Sequence, residues 1–182
     1  MREEFLDILR FWCDKGVDGF RIDVSHGLAK DLREPLRDRP DPIKMYPQAA
    51  DGSDPMWDRD AVHDIYRGWR ELFNEYQPAK YAVGESWTPF SDRVFQYARQ
   101  DELGAIFDFS LEKAAWNRDE YRHTVERTRR YAIEAGTAPT WVLGNHDVPR
   151  IASRLGVPSG TDIEAWVTSC LLYTSPSPRD CS

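Results

Sequence analysis

Three carboxylates stand at the ends of three apolar runs. Asp23 follows Gly19-Phe20-Arg21-Ile22, Glu85 follows Ala82-Val83-Gly84, and Asp147 follows Val142-Leu143-Gly144-Asn145-His146. The intervals from 23 to 85 and from 85 to 147 are both 62 residues. Each run reads as a short buried strand, so each acid falls where a strand stops. Acids delivered to one end of several parallel strands suit the cleavage of glycosidic bonds. That chemistry needs one carboxylic acid to protonate the leaving oxygen and a second carboxylate to attack.

The neighbours of each acid bear on its role. Arg21 and Asp23 lie two apart on a strand and point to one face, while Phe20 and Ile22 point to the other. A guanidinium beside a carboxylate favours the ionised form, which a nucleophile requires. A purely structural Arg–Asp pair at a strand end is an equally ordinary use of the same residues. Glu85 precedes Ser86-Trp87-Thr88-Pro89. A general acid must keep its proton near neutrality, and burial against apolar or aromatic surface such as Trp87 arranges this. Asn145-His146-Asp147 sets an imidazole beside an acid, a pattern that also serves as a cap or a surface hydrogen bond.

The elements that must position these acids alternate. Phe5, Ile8, Leu9 and Trp12 form an i, i+3, i+4, i+7 stripe from Met1 to Lys15, with Gly16 at the place of a helix-ending glycine. A strand at 18–24 follows. Residues 25–56 hold Pro35, Pro40, Pro42, Pro47 and Pro55 and read as one long loop, a length that is usually functional or disordered. Helical pattern resumes near Trp57, with Val62, Ile65, Tyr66, Trp69, Leu72, Phe73 and Tyr76 on one stripe, and stops before Pro78. A strand at 81–85, a helix at 91–102, a strand at 105–109, a helix at 111–135 closed by Gly136, and a strand at 140–145 complete the series. Pro149 marks a further helix start. Strands this continuously apolar, alternating with helices, indicate an α/β fold with a parallel sheet covered by helices. The Ser/Pro-rich residues 170–182 fit no such pattern and read as a non-native or disordered tail, leaving 1–169 as one catalytic domain.

Composition narrows the partners. Lys and Arg number 24 against 31 Asp and Glu, a net charge of −7, which offers no basic footprint for nucleic acid or an anionic membrane. Seven Trp, eight Tyr and eight Phe suit sugar-ring stacking, although large aromatics are first of all core residues. Cys13, Cys170 and Cys181 are too few and too scattered for a disulfide framework or a zinc site. No run reaches the ~18 apolar residues of a membrane span. Charged residues follow Met1 directly, so a secretory leader is not expected and a cytoplasmic location is. Asp51, Asp54, Asp58 and Asp60 form no EF-hand pattern, and neither a cofactor nor a metal is implied.

Taken together, Gly19-Phe20-Arg21-Ile22-Asp23, Gly84-Glu85 and Asn145-His146-Asp147 resemble the motif segments of the α-amylase superfamily, glycoside hydrolase family 13. The resemblance covers about residues 1–165. It implies a partial (β/α)8 TIM barrel, from about the fourth to the seventh strand, with the site at the C-terminal strand ends. It further implies Asp23 as nucleophile, Glu85 as acid/base and Asp147 as the third acid, with Arg21 positioning Asp23 and His146 bonding the sugar. The two working carboxyls are then expected ~5–5.5 Å apart, with retention of configuration, and a separation above ~10 Å counts against the assignment. Val24-Ser25-His26-Gly27 resembles the α-glucosidase and oligo-1,6-glucosidase branch, with the long loop on the aglycone side and Met56 or Trp57 at its exit.

The expected activity is therefore hydrolysis of α-glucosidic bonds in small oligosaccharides. Alternatives are a transglycosylase of the same superfamily, isomaltulose- or trehalose-forming, and an inactive truncated product. The family's early Asn-His motif, its inserted domain, its eighth strand and its C-terminal domain find no match here. The chain is thus expected to be a fragment with open sheet edges. Linkage preference and oligomeric state are not legible.

Overall fold

A computed structural model describes residues 2–155, apart from Pro40, Pro42, Met45, Gln48 and Phe90; the tail assigned to 170–182 lies outside the described residues. The elements in order are α1 (Arg2–Asp14), β1 (Gly19–Ile22), α2 (Ala61–Asn74), β2 (Tyr81–Gly84), α3 (Asp92–Gln96), β3 (Phe107–Asp108), α4 (Ser110–Lys113), α5 (Arg118–Glu134), β4 (Thr140–Trp141) and α6 (Ile151–Leu155). A 3₁₀ turn, Ser25–Gly27, follows β1. The described residues fall into two compact units, those up to 107 with 129–139, and 108–128 with those from 140 on.

In the first unit β1 and β2 pair in parallel, Gly19 opposite Tyr81 through Ile22 opposite Gly84. A further parallel bridge joins Gly84 to Ile106. Helix α2 supplies the largest share of the core, burying Val62, Tyr66, Trp69, Leu72 and Phe73 along its predicted stripe. Phe73 stacks on Phe20 of β1 with ring centres 5.5 Å apart. Arg70, on the same helix, donates to the carbonyls of Lys80, Glu102 and Leu103 at 2.6–2.9 Å, satisfying main-chain groups that no strand pairs.

Helix α1 departs from expectation. The predicted stripe was Phe5, Ile8, Leu9 and Trp12, yet Leu9 and Cys13 are the buried residues and Leu6 packs beside them. Phe5, Ile8 and Trp12 stay exposed, although Phe5 stacks on Trp69 at 5.4 Å. Apolar residues wrap more than half of this helix. Burial falls on the 6, 9, 13 row, while Phe5 of the neighbouring 5, 8, 12 row keeps a stacking contact with α2, and both rows have helical spacing.

Two further helix boundaries shift in this unit. The helix predicted from Trp57 starts at Ala61, because Asp58 takes a left-handed conformation with φ 50°. The helix predicted at 91–102 ends at Gln96 and continues as turns, in which Ala98, Arg99 and Glu102 each donate to the carbonyl three residues back.

In the second unit the single helix predicted at 111–135 is two. Ala114 is extended, with ψ 141°, and the Asn117 side chain accepts from the Glu120 N–H to start α5 anew. Strand β4 pairs with β3, Val142 N–H donating to Asp108 O at 3.2 Å. Leu111, Ala114, Thr124 and Thr128 are buried in this unit.

The two burial rows of α1 and α2 make a direct test. Phe73→Ala, which empties a fully buried ring site, is expected to lower unfolding free energy by about 3–5 kcal/mol. Phe11→Ala, on the exposed side of α1, is expected to change it by about 0.5 kcal/mol or less. Urea unfolding of both variants measures the contrast, and equal losses would contradict the packing.

Candidate functional site

The parallel register of β1 and β2 continues past their last paired residues. Glu85 N–H donates to Ile22 O, and Ser25 N–H donates to Glu85 O, both at 2.8 Å. Asp23 and Glu85 therefore leave neighbouring strands at the same end. Gly84 is required for this approach. A Cβ there would sit 2.7 Å from Ile106 Cδ1 and 3.0 Å from Ser25 Oγ.

The two acids meet through Arg21. Its Nη1 donates to Asp23 Oδ1 at 2.9 Å, and its Nη2 forms a very short contact with Glu85 Oε2. One guanidinium fork thus holds one oxygen of each carboxylate. The Trp87 indole N–H donates to the other oxygen, Glu85 Oε1, at 2.8 Å. The environments of the two acids differ sharply: the Asp23 side chain is 70% exposed and that of Glu85 is 4% exposed.

Burial, followed by a hydrogen bond with Asp23, raises the Glu85 pKa above the ordinary glutamate value. The Trp87 bond and the Arg21 charge oppose this, and the Asp23 charge reinforces it. The expectation that Trp87 favours the protonated acid as apolar surface is thus corrected: the indole is a donor that pulls the other way. What retains the proton is loss of water and a second carboxylate alongside.

Sequence reading missed the main chain behind the pair. Between Asp23 and Ser25, Val24 sits in the left-handed region at φ 45°, ψ 47°, a conformation that costs a non-glycine residue about 1–3 kcal/mol. This turn brings Ser25 back so that its Oγ also donates to Glu85 O, at 2.7 Å. The Tyr66 hydroxyl in turn donates to Ser25 O at 2.5 Å. Tyr66 belongs to the predicted stripe of α2, but nothing in a helical stripe announces that its hydroxyl reaches a strand end. Ser25 carries no sequence signal for its partner.

The long loop is real and is ordered by charge rather than by helix or strand. Asp31 pairs with Arg33, Arg37 and Arg59, and the Arg33 hydrogen bond holds its carboxyl well below the usual range. Arg39 pairs with Asp54. At the loop's end the buried Asp58 accepts from Arg93 Nε at 2.7 Å and from the Tyr97 hydroxyl at 2.6 Å. Trp57 packs against the buried His26, with the Lys30 ammonium 4.1 Å from its ring centre. A Cβ at Gly27 would lie 2.7 Å from the same indole. Trp57 is thus committed to holding the loop, and Met56 is the more exposed of the two residues expected at its exit.

In the second unit His146 and Asp147 lie side by side, His146 Nε2 being 3.5 Å from Asp147 Oδ1, and both side chains are largely exposed. Asn145 fixes the turn, its Oδ1 accepting from Asp147 N–H at 2.7 Å and its Nδ2 donating to Glu112 Oε2 at 3.2 Å. Burial raises the Glu112 pKa, with a contribution from the Asp147 charge. Glu112 escaped the sequence reading because it sits in a helical segment with no flanking motif. The structure thus gathers Arg21, Asp23 and Glu85 in one unit and His146 and Asp147 in the other. Among the described residues no group of three His, Cys, Asp or Glu is placed to hold a metal ion.

Comparison with known proteins adds independent findings. The chain is 31% identical to the salivary alpha-glucosidase of Anopheles gambiae, over 85% of its own length and 28% of the relative's. It is 32% identical to Maltase A1 of Drosophila melanogaster, over 95% of its own length and 32% of the relative's. It therefore spans about a third or less of these curated relatives. Among solved structures, that of the alpha-glucosyl transfer enzyme XgtA aligns with a TM-score of 0.66 at 28% identity, covering 88% of this chain and 31% of the other. The shared fold is of the α/β, TIM-barrel kind. The model of the alpha amylase catalytic domain matches residues 1–175, and the chain belongs to that family, on its α-glucosidase-like side.

Proposed function

We propose that this chain carries the reacting acids of a retaining glycoside hydrolase that cleaves α-glucosidic bonds in small oligosaccharides. Residues 1–169 correspond, in this reading, to strands four to seven of the catalytic barrel and their helices. The observation that carries it is the pairing of a buried Glu85, its pKa raised, with an exposed Asp23 on one arginine fork. A buried carboxyl whose pKa is raised, beside an exposed one, suits a double displacement at an anomeric carbon.

The residues divide the work as follows. An Asp23 oxygen attacks the anomeric carbon while the bond to the leaving oxygen breaks, and that oxygen takes the Glu85 proton. The glycosyl group is then esterified to Asp23. Glu85, now a carboxylate, removes a proton from water, the water oxygen attacks the same carbon, and Asp23 leaves. Both attacks invert, so configuration is retained overall. Arg21 orients Asp23 through its Nη1 hydrogen bond and offsets the second charge when Glu85 has lost its proton. Asp147 and His146 bind sugar hydroxyls, with Asp147 stabilising the oxocarbenium-like state.

A sugar acceptor in place of water would make the same site a transglycosylase, a reading favoured by the likeness to a structure described as an alpha-glucosyl transfer enzyme. Product analysis at rising acceptor concentration separates the two.

With the whole protein, maltose and isomaltose are the substrates to compare, and the first-formed glucose is expected as the α-anomer by NMR. Release of the β-anomer would contradict the double displacement. Asp23→Asn and Glu85→Gln are each expected to lower kcat by at least about 10³-fold, as loss of a covalent or proton-transfer step does.

The pH profile follows from the Glu85 shift. The protonated form is the active one, so kcat/KM falls as pH rises through the Glu85 pKa. That alkaline limb is expected above the ordinary glutamate value of about 4.3. A limb at or below that value would contradict the acid assignment.

A further inference from the structure

Behind the acid pair lies a main-chain clip that the proposed chemistry does not yet use. Ser25 gives two hydrogen bonds to one acceptor, the Glu85 carbonyl oxygen, from its N–H at 2.8 Å and its Oγ at 2.7 Å. The Tyr66 hydroxyl holds Ser25 from behind at 2.5 Å, and Ser25 and Tyr66 are both fully buried. Val24, the single residue between Asp23 and Ser25, is held left-handed although β-branched. A strained residue persists only where its surroundings over-determine it, and here the surroundings are the clip.

We infer that Ser25, backed by Tyr66, is a positioning residue that sets the separation and relative orientation of Asp23 and Glu85. The inference rests on the reading of those two residues as nucleophile and acid. Its geometry needs neither. Asp23 is one peptide from the strained turn, and Glu85 is the residue whose carbonyl the clip grips. Any slack in the clip moves one carboxyl relative to the other. Gly84 has no side chain to wedge the two apart, and a Cβ there would meet Ile106 Cδ1, Leu103 Cδ1 and Ser25 Oγ at 2.7, 2.8 and 3.0 Å. Arg21, the remaining link between the acids, is itself part-exposed on a flexible stem. It follows a displaced carboxyl rather than preventing the displacement.

The clip makes two kinds of prediction. Without its hydroxyl, Ser25→Ala leaves one bond to the Glu85 carbonyl instead of two. Glu85 then gains water and distance from Asp23. Among the described residues, the charged or titrating groups facing Glu85 are Asp23 and Arg21, and the indole of Trp87 lies against it as a donor. Since burial and Asp23 are what raise its midpoint, loosening lowers it. Tyr66→Phe removes the donor to Ser25 O and acts in the same direction.

The test has an arm that needs no activity. The 13C-labelled Glu85 carboxyl is titrated by NMR in this chain as wild type, Ser25→Ala, Ser25→Thr and Tyr66→Phe, with Asp23→Asn as reference for a pair that has lost its second charge. Ser25→Ala and Tyr66→Phe are expected to move the midpoint down, toward the Asp23→Asn value. Ser25→Thr, which keeps the hydroxyl, is expected to restore it. In the whole protein, Ser25→Ala is expected to lower kcat by about 10–100-fold, the scale of a misplacement on the order of 1 Å, with KM within about twofold.

An unchanged Glu85 midpoint in folded Ser25→Ala overturns the inference. So does a kcat loss that Ser25→Thr shares in full while folded. Where Ser25→Ala does not fold, Tyr66→Phe alone decides, and an unchanged midpoint there overturns it. Absence of any glycosidase activity in the whole protein, with the midpoint shifts present, would instead sink the functional reading and leave the clip standing.

Discussion

The parallel pairing that sets Ile22 opposite Gly84 is the constraint on which the site depends. It is a local matter of four residue pairs, yet it decides which side chains emerge together at the strand ends. A slip of one residue would turn Arg21 and Asp23 to the core and bring Phe20 and Ile22 out. Phe73 of α2 guards against that slip by stacking on Phe20, and Arg70 of the same helix holds the carbonyls of Lys80, Glu102 and Leu103. The apolar face of one helix therefore secures the register, and the register secures the acids.

From that register the electrostatics follow. Asp23 exits into solvent and keeps one arginine contact, whereas Glu85 stays inside and is partnered on both oxygens. One guanidinium thus holds an exposed and a buried carboxyl, and loss of water raises the pKa of the buried one. Trp87 and Arg21 favour the ionised Glu85, while burial and Asp23 favour the protonated one, and the second pair prevails. In the proposed mechanism this is the residue that gives and takes the proton, and the raised pKa suits it to the giving step.

Much of this was legible in the sequence, for reasons that differ by element. The apolar runs before Asp23 and Glu85 announced two strands because buried parallel strands are continuously apolar. The α2 stripe announced itself through spacing alone. The breaks at Gln96 and Ala114 were invisible, since the residues on either side favour helix and tertiary packing decides where it ends. In α1 the spacing was right and Leu9 is buried as expected, but the buried row is displaced to Leu6, Leu9 and Cys13, because two adjacent rows of that helix are equally apolar. At the site, the types and order of the acids were readable. The Val24 turn, the Ser25 bonds and the Tyr66 hydroxyl were not, because each is a contact between residues more than forty apart or a backbone angle that residue type disfavours.

The central claim is that Asp23, not Glu85, forms the bond to sugar. A fluorinated α-glucosyl fluoride that enters the first step faster than it leaves the second would trap that bond in the whole protein, and peptide mass spectrometry would locate it. The account predicts one glucosyl adduct on the peptide containing Asp23, absent in Asp23→Asn. An adduct on Glu85 or on any other carboxylate, with Asp23 unmodified, would contradict it.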